Sequence, residues 1–222
     1  MAESKDKLVF GYWSTQGVAH PVRWLLSYHK MDFEDKQYSD RNQWFEVDKP
    51  ALQSDFPNLP YIKDGDIVIT EFKAVMEYAA LKTENKDLRG KNTLDSIKIS
   101  QLFSFLQDLM LCLRDLVTNK EYDKVRDDFL NEKVAPAFNK LSKALGEKEY
   151  ALGYLTWVDF NLFNMVDLVR RMSSEFVAKW PNLEKYHERF NSSEGIQAYR
   201  KSANYPRFLA NPDWVVWTGE EK

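Results

Sequence analysis

The chain has 222 residues, 44% of them apolar and 29% charged, the balance of a folded protein with one large domain or two small ones. A formal net charge of −3 excludes the basic excess that sequence-independent nucleic-acid binding needs. The single cysteine, Cys112, excludes an intrachain disulfide and a cysteine-built zinc site, and three scattered histidines offer little to any other metal, so none is expected.

Aromatic residues make up 14% of the chain and include seven Trp, enough to fill a core. The longest uncharged stretch, 8–22, contains two glycines and a proline and falls short of the roughly 20 apolar residues a membrane helix needs. The first seven residues lack the apolar run of a secretory signal. The expectation is a cytoplasmic protein with no membrane or nucleic-acid partner.

Leu8-Val9-Phe10-Gly11-Tyr12-Trp13 reads as a buried strand. Residues 14–17 are turn material, and Val18, Val22, Leu25 and Leu26 then form a helical stripe ending near His29. Phe33–Tyr38 is a second strand. Residues 43–54 read as irregular, with Pro50 as a breaker. Two short apolar runs, 61–63 and 67–69, flank Asp64-Gly65 and predict a hairpin. Phe72–Lys82 follows as a helix with Val75, Met76 and Ala79 inward. This order, with a parallel first pair of strands, predicts a thioredoxin-like layout.

Residues 84–92 are polar and read as a linker. Beyond them the periodicity is helical, over 94–117, 124–145, 159–172 and 182–190. Thr156-x-x-Asp159 is a capping box, with Leu155 and Phe160 placed as its hydrophobic staple. The tail, 211–222, carries Trp214 and Trp217 and is expected to pack back over the body. The predicted organisation is α/β plus all-α: a thioredoxin-like domain over 1–84, a linker over 85–93 and an all-helical domain over 94–222. His20, His29 and His187 read as surface or capping residues. Cys112, among leucines, reads as a small core side chain.

Several segments recur in a family order. They are Phe10-Gly11-Tyr12-Trp13, Gly17-Val18-Ala19-His20-Pro21-Val22-Arg23, Asp40-Arg41-Asn42-Gln43-Trp44 and Asp55-Phe56-Pro57-Asn58-Leu59-Pro60-Tyr61. Leu155-Thr156-Trp157-Val158-Asp159-Phe160, Pro181-Asn182-Leu183, Arg189-Phe190, Ala198-Tyr199 and Val216-Trp217 continue the series. With these segments the chain resembles the cytosolic glutathione transferases, most closely the mu class, over nearly its whole length.

The resemblance implies a glutathione-binding first domain, a helical domain with an electrophile pocket, and a homodimer. Glutathione would be co-substrate and a hydrophobic electrophile its partner. Tyr12 would be catalytic, with Trp13 and Val18 in the ligand-binding set. Trp44 and Lys49 would grip the glycine carboxylate, with Asn58 beside them. A cis bond at Leu59-Pro60 would turn the Leu59 backbone toward the cysteinyl part of the ligand. Glu71 and Phe72 fall at the γ-glutamyl carboxylate. Asp108 would hold the γ-glutamyl ammonium of the partner subunit's ligand.

The chemistry needs a thiolate. A free thiol titrates near about 8.5, and lowering that by about two units takes roughly 2.7 kcal/mol. One hydroxyl donor to a charged sulfur supplies about 1.5–3 kcal/mol, which Tyr12 would provide.

The sequence departs from the family where a Gln-Ser or Gln-Thr pair is usual: it reads Thr70-Glu71-Phe72-Lys73. Phe72 lacks the hydroxyl, and Glu71 brings a negative charge beside the ligand's carboxylate. The loop after Tyr38 is short, and Thr118 stands where the mu class often has a tyrosine. Two readings therefore stay open. One is an enzyme conjugating glutathione to hydrophobic electrophiles. The other is a non-catalytic scaffold or binding module with weakened glutathione affinity and an assembly partner of its own.

Overall fold

The computed structural model describes residues 7–219. Strand β1 (Leu8–Trp13) lies inside a four-stranded sheet of order β2-β1-β3-β4, with β2 (Phe33–Tyr38), β3 (Tyr61–Asp64) and β4 (Ile67–Thr70). β1 and β2 are parallel, and the other two pairings are antiparallel. β1 has neighbours on both edges, which suits its apolar sequence. β2 is an edge strand and carries Glu34, Asp35 and Lys36. Gly11 is required because a Cβ there would fall inside the Tyr61 ring. Gly65 turns the β3–β4 hairpin at φ +59.

Helix α1 (His20–Tyr28) packs between the sheet and the helical half, so all of 20–26 is buried. This corrects the surface reading of His20: the outer face of α1 is covered by later helices. His187 is likewise buried, bonded through Nε2 to Asp167 at 2.9 Å, whereas His29 is half-buried.

The segment expected to be irregular is helical over 41–51. It contains wide π-type turns at Gln43–Asp48 and a short helix α2 (Lys49–Ala51). Pro50 follows directly on these wide turns; it cannot donate to the turn before it, and the wider winding relieves the crowding its ring would cause there. After α3 (Phe72–Lys82), the polar connection includes a 3₁₀ turn, Lys86–Arg89.

The remaining helices are α4 (Thr93–Val117), α5 (Tyr122–Phe129), α6 (Ala135–Leu145), α7 (Trp157–Met172), α8 (Ser174–Val177), α9 (Pro181–Asn191) and α10 (Glu194–Arg200). α5 and α6 run on through π-type turns at Leu130–Val134. Pro136 cannot donate and would crowd the carbonyl four residues back, which the wider turns relieve.

α7 is buried along nearly its whole length and organises the core. Its capping box forms. Asp159 Oδ2 accepts the Thr156 amide at 2.8 Å and its hydroxyl at 2.7 Å, and Oδ1 accepts Tyr186 Oη at 2.9 Å. Cys112 is exposed, which corrects its core assignment: α4 turns Leu109, Leu113 and Leu116 inward and Cys112 outward. The tail does pack back. Trp217 is buried and stacked on Tyr122 with ring centroids 5.8 Å apart. The fold is a thioredoxin-like α/β unit followed by an all-helical unit, joined by one continuous apolar core.

Candidate functional site

Strand register assembles the site. Gly11 pairs with Tyr61 and Tyr61 with Thr70. Continued by one residue, the same registers set Tyr12, Pro60 and Glu71 next to one another at one end of the sheet. The Leu59-Pro60 bond at that end is cis.

Tyr12 is 7% exposed. Its hydroxyl is pushed above its usual range by burial, opposed by the Arg23 guanidinium and by the Val18 backbone amide. It is therefore a protonated donor at neutral pH. Gly17 makes room for it: at φ +50, a Cβ there would lie 2.6 Å from the Tyr12 oxygen. The Val18 side chain is 37% exposed beside this turn.

A buried ion pair holds the turn in place. Arg23 Nε contacts both Asp35 oxygens at 3.0 Å. Its terminal nitrogens donate to the carbonyls of Thr15 at 2.7 Å and Trp13 at 3.1 Å. Burial raises the Asp35 carboxyl while Arg23 lowers it. The C-terminal tail also grips the turn, through Gln16 N to Phe208 O at 2.9 Å and Gly17 N to Leu209 O at 2.7 Å.

Asn58, on the loop before the cis bond, accepts the Leu59 amide at 2.9 Å and donates to Glu71 Oε1 at 3.0 Å. The Leu59 N–H is thus occupied by its own loop. Glu71 has φ +69, a conformation rare outside glycine, and it precedes the first turn of α3. Phe72 turns away to pack on Phe103 of α4, with ring centroids 5.6 Å apart. Lys73 is directed to Glu77 along α3 at 3.9 Å.

Trp44 is 2% exposed, packed between Tyr38 and Tyr61. Lys49 Nζ lies 5.6 Å from the centre of the Phe45 ring. Trp13 packs on Tyr38, Phe45 and Trp214. Asp108 is exposed on α4, and within one chain the structure does not bring it to the other residues.

Arg41 is a member of this set that sequence reasoning did not single out as a site residue. Its guanidinium lies 5.4 Å from Phe45 and 5.2 Å from Trp214. Its position three residues before Trp44 was the only available signal. Among the described residues no group of three or more His, Cys, Asp or Glu could hold a metal ion, and no helix is long and apolar enough to cross a membrane.

Comparison with known proteins bears on the family and the fold. Residues 8–81 match the glutathione S-transferase N-terminal domain, and residues 107–203 match the glutathione S-transferase C-terminal domain. Glutathione S-transferase Mu 1 of Homo sapiens is 34% identical, covering 95% of this chain and 98% of that one. Glutathione S-transferase Mu 1 of Bos taurus is 32% identical with the same coverage. The Pi-class glutathione S-transferase of Onchocerca volvulus shares the fold at a TM-score of 0.81, with 21% identity over 93% of this chain and 98% of that one. The chain belongs to the glutathione S-transferase family.

Proposed function

We propose that the protein is a mu-type glutathione transferase, in which Tyr12 stabilises the glutathione thiolate for attack on a hydrophobic electrophile. The observation that carries this reading is the Tyr12 hydroxyl, held protonated beside the Val18 amide at the sheet end that also carries cis Leu59-Pro60. A protonated phenol donates a hydrogen bond to sulfur, which favours the thiolate over the thiol. The Leu59 amide exchanges Asn58 for the cysteinyl carbonyl of the ligand. Trp44 and Lys49 take the glycine carboxylate. The α3 N-terminus, with its free amides, faces the γ-glutamyl carboxylate. Val18, Trp214 and Val216 are half-exposed apolar side chains suited to a hydrophobic electrophile.

The functional unit is a homodimer. Phe56 is 72% exposed, and Leu94 and Ile97 of α4 are 58% and 59% exposed, a cost in water that a second copy would remove. A groove of about 530 Å³ between α4 and α6, floored by Leu102, Phe105 and Leu141, offers an apolar receptor for such a side chain. Asp108, exposed on α4, then serves the partner subunit's ligand. The protein acts in the cytoplasm.

A second reading is favoured by one observation: the Phe72 side chain packs at the α3–α4 junction, where it offers the ligand no hydroxyl. In that reading the fold is a scaffold with weakened glutathione affinity. Calorimetry with glutathione separates the two. Saturable binding supports the transferase, and no heat at millimolar ligand supports the scaffold.

A further inference from the structure

Gln16 crosses from the turn beside Tyr12 to the helical half. It is 2% exposed, and both ends of its amide are used. Nε2 donates to Pro206 O at 3.0 Å, and Oε1 accepts Arg171 Nη2 at 2.8 Å. The backbone follows the side chain, with Gln16 N and Gly17 N donating to the Phe208 and Leu209 carbonyls.

Arg171 stands in the last turn of α7, and its nitrogens face oxygens in three separate segments. Nη2 meets Gln16, Nη1 donates to Gly219 O at 2.9 Å, and Nε lies 3.2 Å from Asp167 Oδ2. A guanidinium presents its donors in a rigid planar fork, which a lysine ammonium, a single point of charge, does not. Asp167 is itself buried and gripped from two further helices, by His187 Nε2 of α9 at 2.9 Å and Arg200 Nη2 of α10 at 2.6 Å. Burial opposes its charge. The His187 hydrogen bond and the Arg171 and Arg200 guanidiniums override that, so the carboxyl stays ionised. A cation in a last turn favours its own helix. That does not account for a fork aimed across at the turn and the tail.

The place of Gln16 matters to Tyr12 through its two neighbours. The Tyr12 oxygen takes the hydrogen bond of the Val18 amide. Gly17 backs it so closely that a Cβ there would lie 2.6 Å away. A shift of the turn therefore moves the amide that aims the hydroxyl, and hydrogen bonds weaken steeply with misalignment.

We propose that Arg171 is a positioning residue: anchored on Asp167, it holds the Gln16 turn against the helical half and so aims the Tyr12 hydroxyl at the sulfur of glutathione. This rests on the transferase reading given above and adds to it a buried charged cluster from the other half of the molecule.

The test reads the thiol pKa of bound glutathione by thiolate absorption, together with binding of S-methylglutathione, which has no thiol to ionise. Arg171→Met removes the fork and leaves Asp167 with His187 and Arg200. It is expected to raise the bound thiol pKa by about one unit, which lowers kcat at about pH 6.5 roughly five-fold. S-methylglutathione should bind within about two-fold of wild type, a change of under about 0.4 kcal/mol. Arg171→Lys, with charge but no fork, should recover about half of the pKa shift. Gln16→Ala cuts the same link from its other end and leaves the Asp167 cluster whole. It should give the same shift as Arg171→Met, and the double variant no more than either. A merely structural role lowers stability without moving the thiol pKa. An unshifted pKa in Arg171→Met, or shifts that add in the double variant, overturns the assignment and leaves the transferase reading standing. Should Arg171→Met fail to fold, Gln16→Ala decides alone, and an unshifted pKa there overturns the assignment. A wild type whose bound thiol titrates like free glutathione overturns both.

Discussion

The two sides of the sheet end are built differently. The Tyr12 side is fastened into the helical half by polar contacts: Gln16 and Gly17 bond the tail backbone, and Arg171 donates to Gln16 Oε1 at 2.8 Å. The Glu71 side meets the helical half through the Phe72–Phe103 ring contact. The contrast teaches where a side chain can be exchanged at least cost. Tyr12 is enclosed by glycine, amide and guanidinium, so a change there disturbs several partners at once. Phe72 has one ring partner, Phe103, so in the proposed reading a change there alters one packing contact and what the ligand meets.

The largest expected effect comes from undoing that difference. Glu71→Gln with Phe72→Ser should tighten glutathione binding by about 10- to 150-fold, one hydrogen bond to a charged group. It should also lower stability by about 1–2 kcal/mol, since the ring contact with Phe103 is lost. Calorimetry and denaturant titration of the same variant read both changes. Unchanged affinity would mean that this side does not limit binding.

Tyr12→Phe tests the other side. Conjugation of a chlorinated aromatic at pH 7 should fall about ten-fold or more while stability is nearly kept, because burial of the ring is unchanged. Equal turnover by variant and wild type would remove Tyr12 from the mechanism.

Gly17→Ala should cost about 1–2 kcal/mol, from a left-handed φ and a Cβ 2.6 Å from the Tyr12 oxygen. A thermal melt measures it, and a neutral result would show that the turn has room to relax.

The smallest effect lies beneath the turn. His20 is fully buried, neither ring nitrogen has a partner, and it packs on Trp24 with ring centroids 4.3 Å apart. Burial, then Arg23 and Arg171, hold its pKa well below its usual value of 6.5. The unfolded chain takes up this proton below about pH 6.5 while the folded one stays neutral, so stability falls as the pH falls. The loss from this group is about 1 kcal/mol between pH 6.5 and 5.5. His20→Phe should flatten that part of the pH–stability curve, and an unchanged slope would place the titration elsewhere.

Local signals were legible in the sequence. β1, the Asp64-Gly65 hairpin and the Thr156–Asp159 box each rest on residues adjacent along the chain. What depends on distant packing was not. His20 is buried because later helices cover the outer face of α1, and Arg23 because it turns back to pair with Asp35 of β2, neither of which the periodicity of α1 reveals. Pro50 read as a breaker because its tolerance inside a helical run depends on the wide turns before it. At the site, Tyr12 and Leu59-Pro60 stood out through their neighbours in sequence. Arg41 did not, because its aromatic partner Trp214 comes from the other end of the chain.

The most direct measurement of the central claim is the ionisation of bound glutathione, followed by thiolate ultraviolet absorption across a pH titration. The account predicts a thiol pKa about two units below the free value of about 8.5 in wild type, returning close to it in Tyr12→Phe. The same titration curve in both proteins would contradict it.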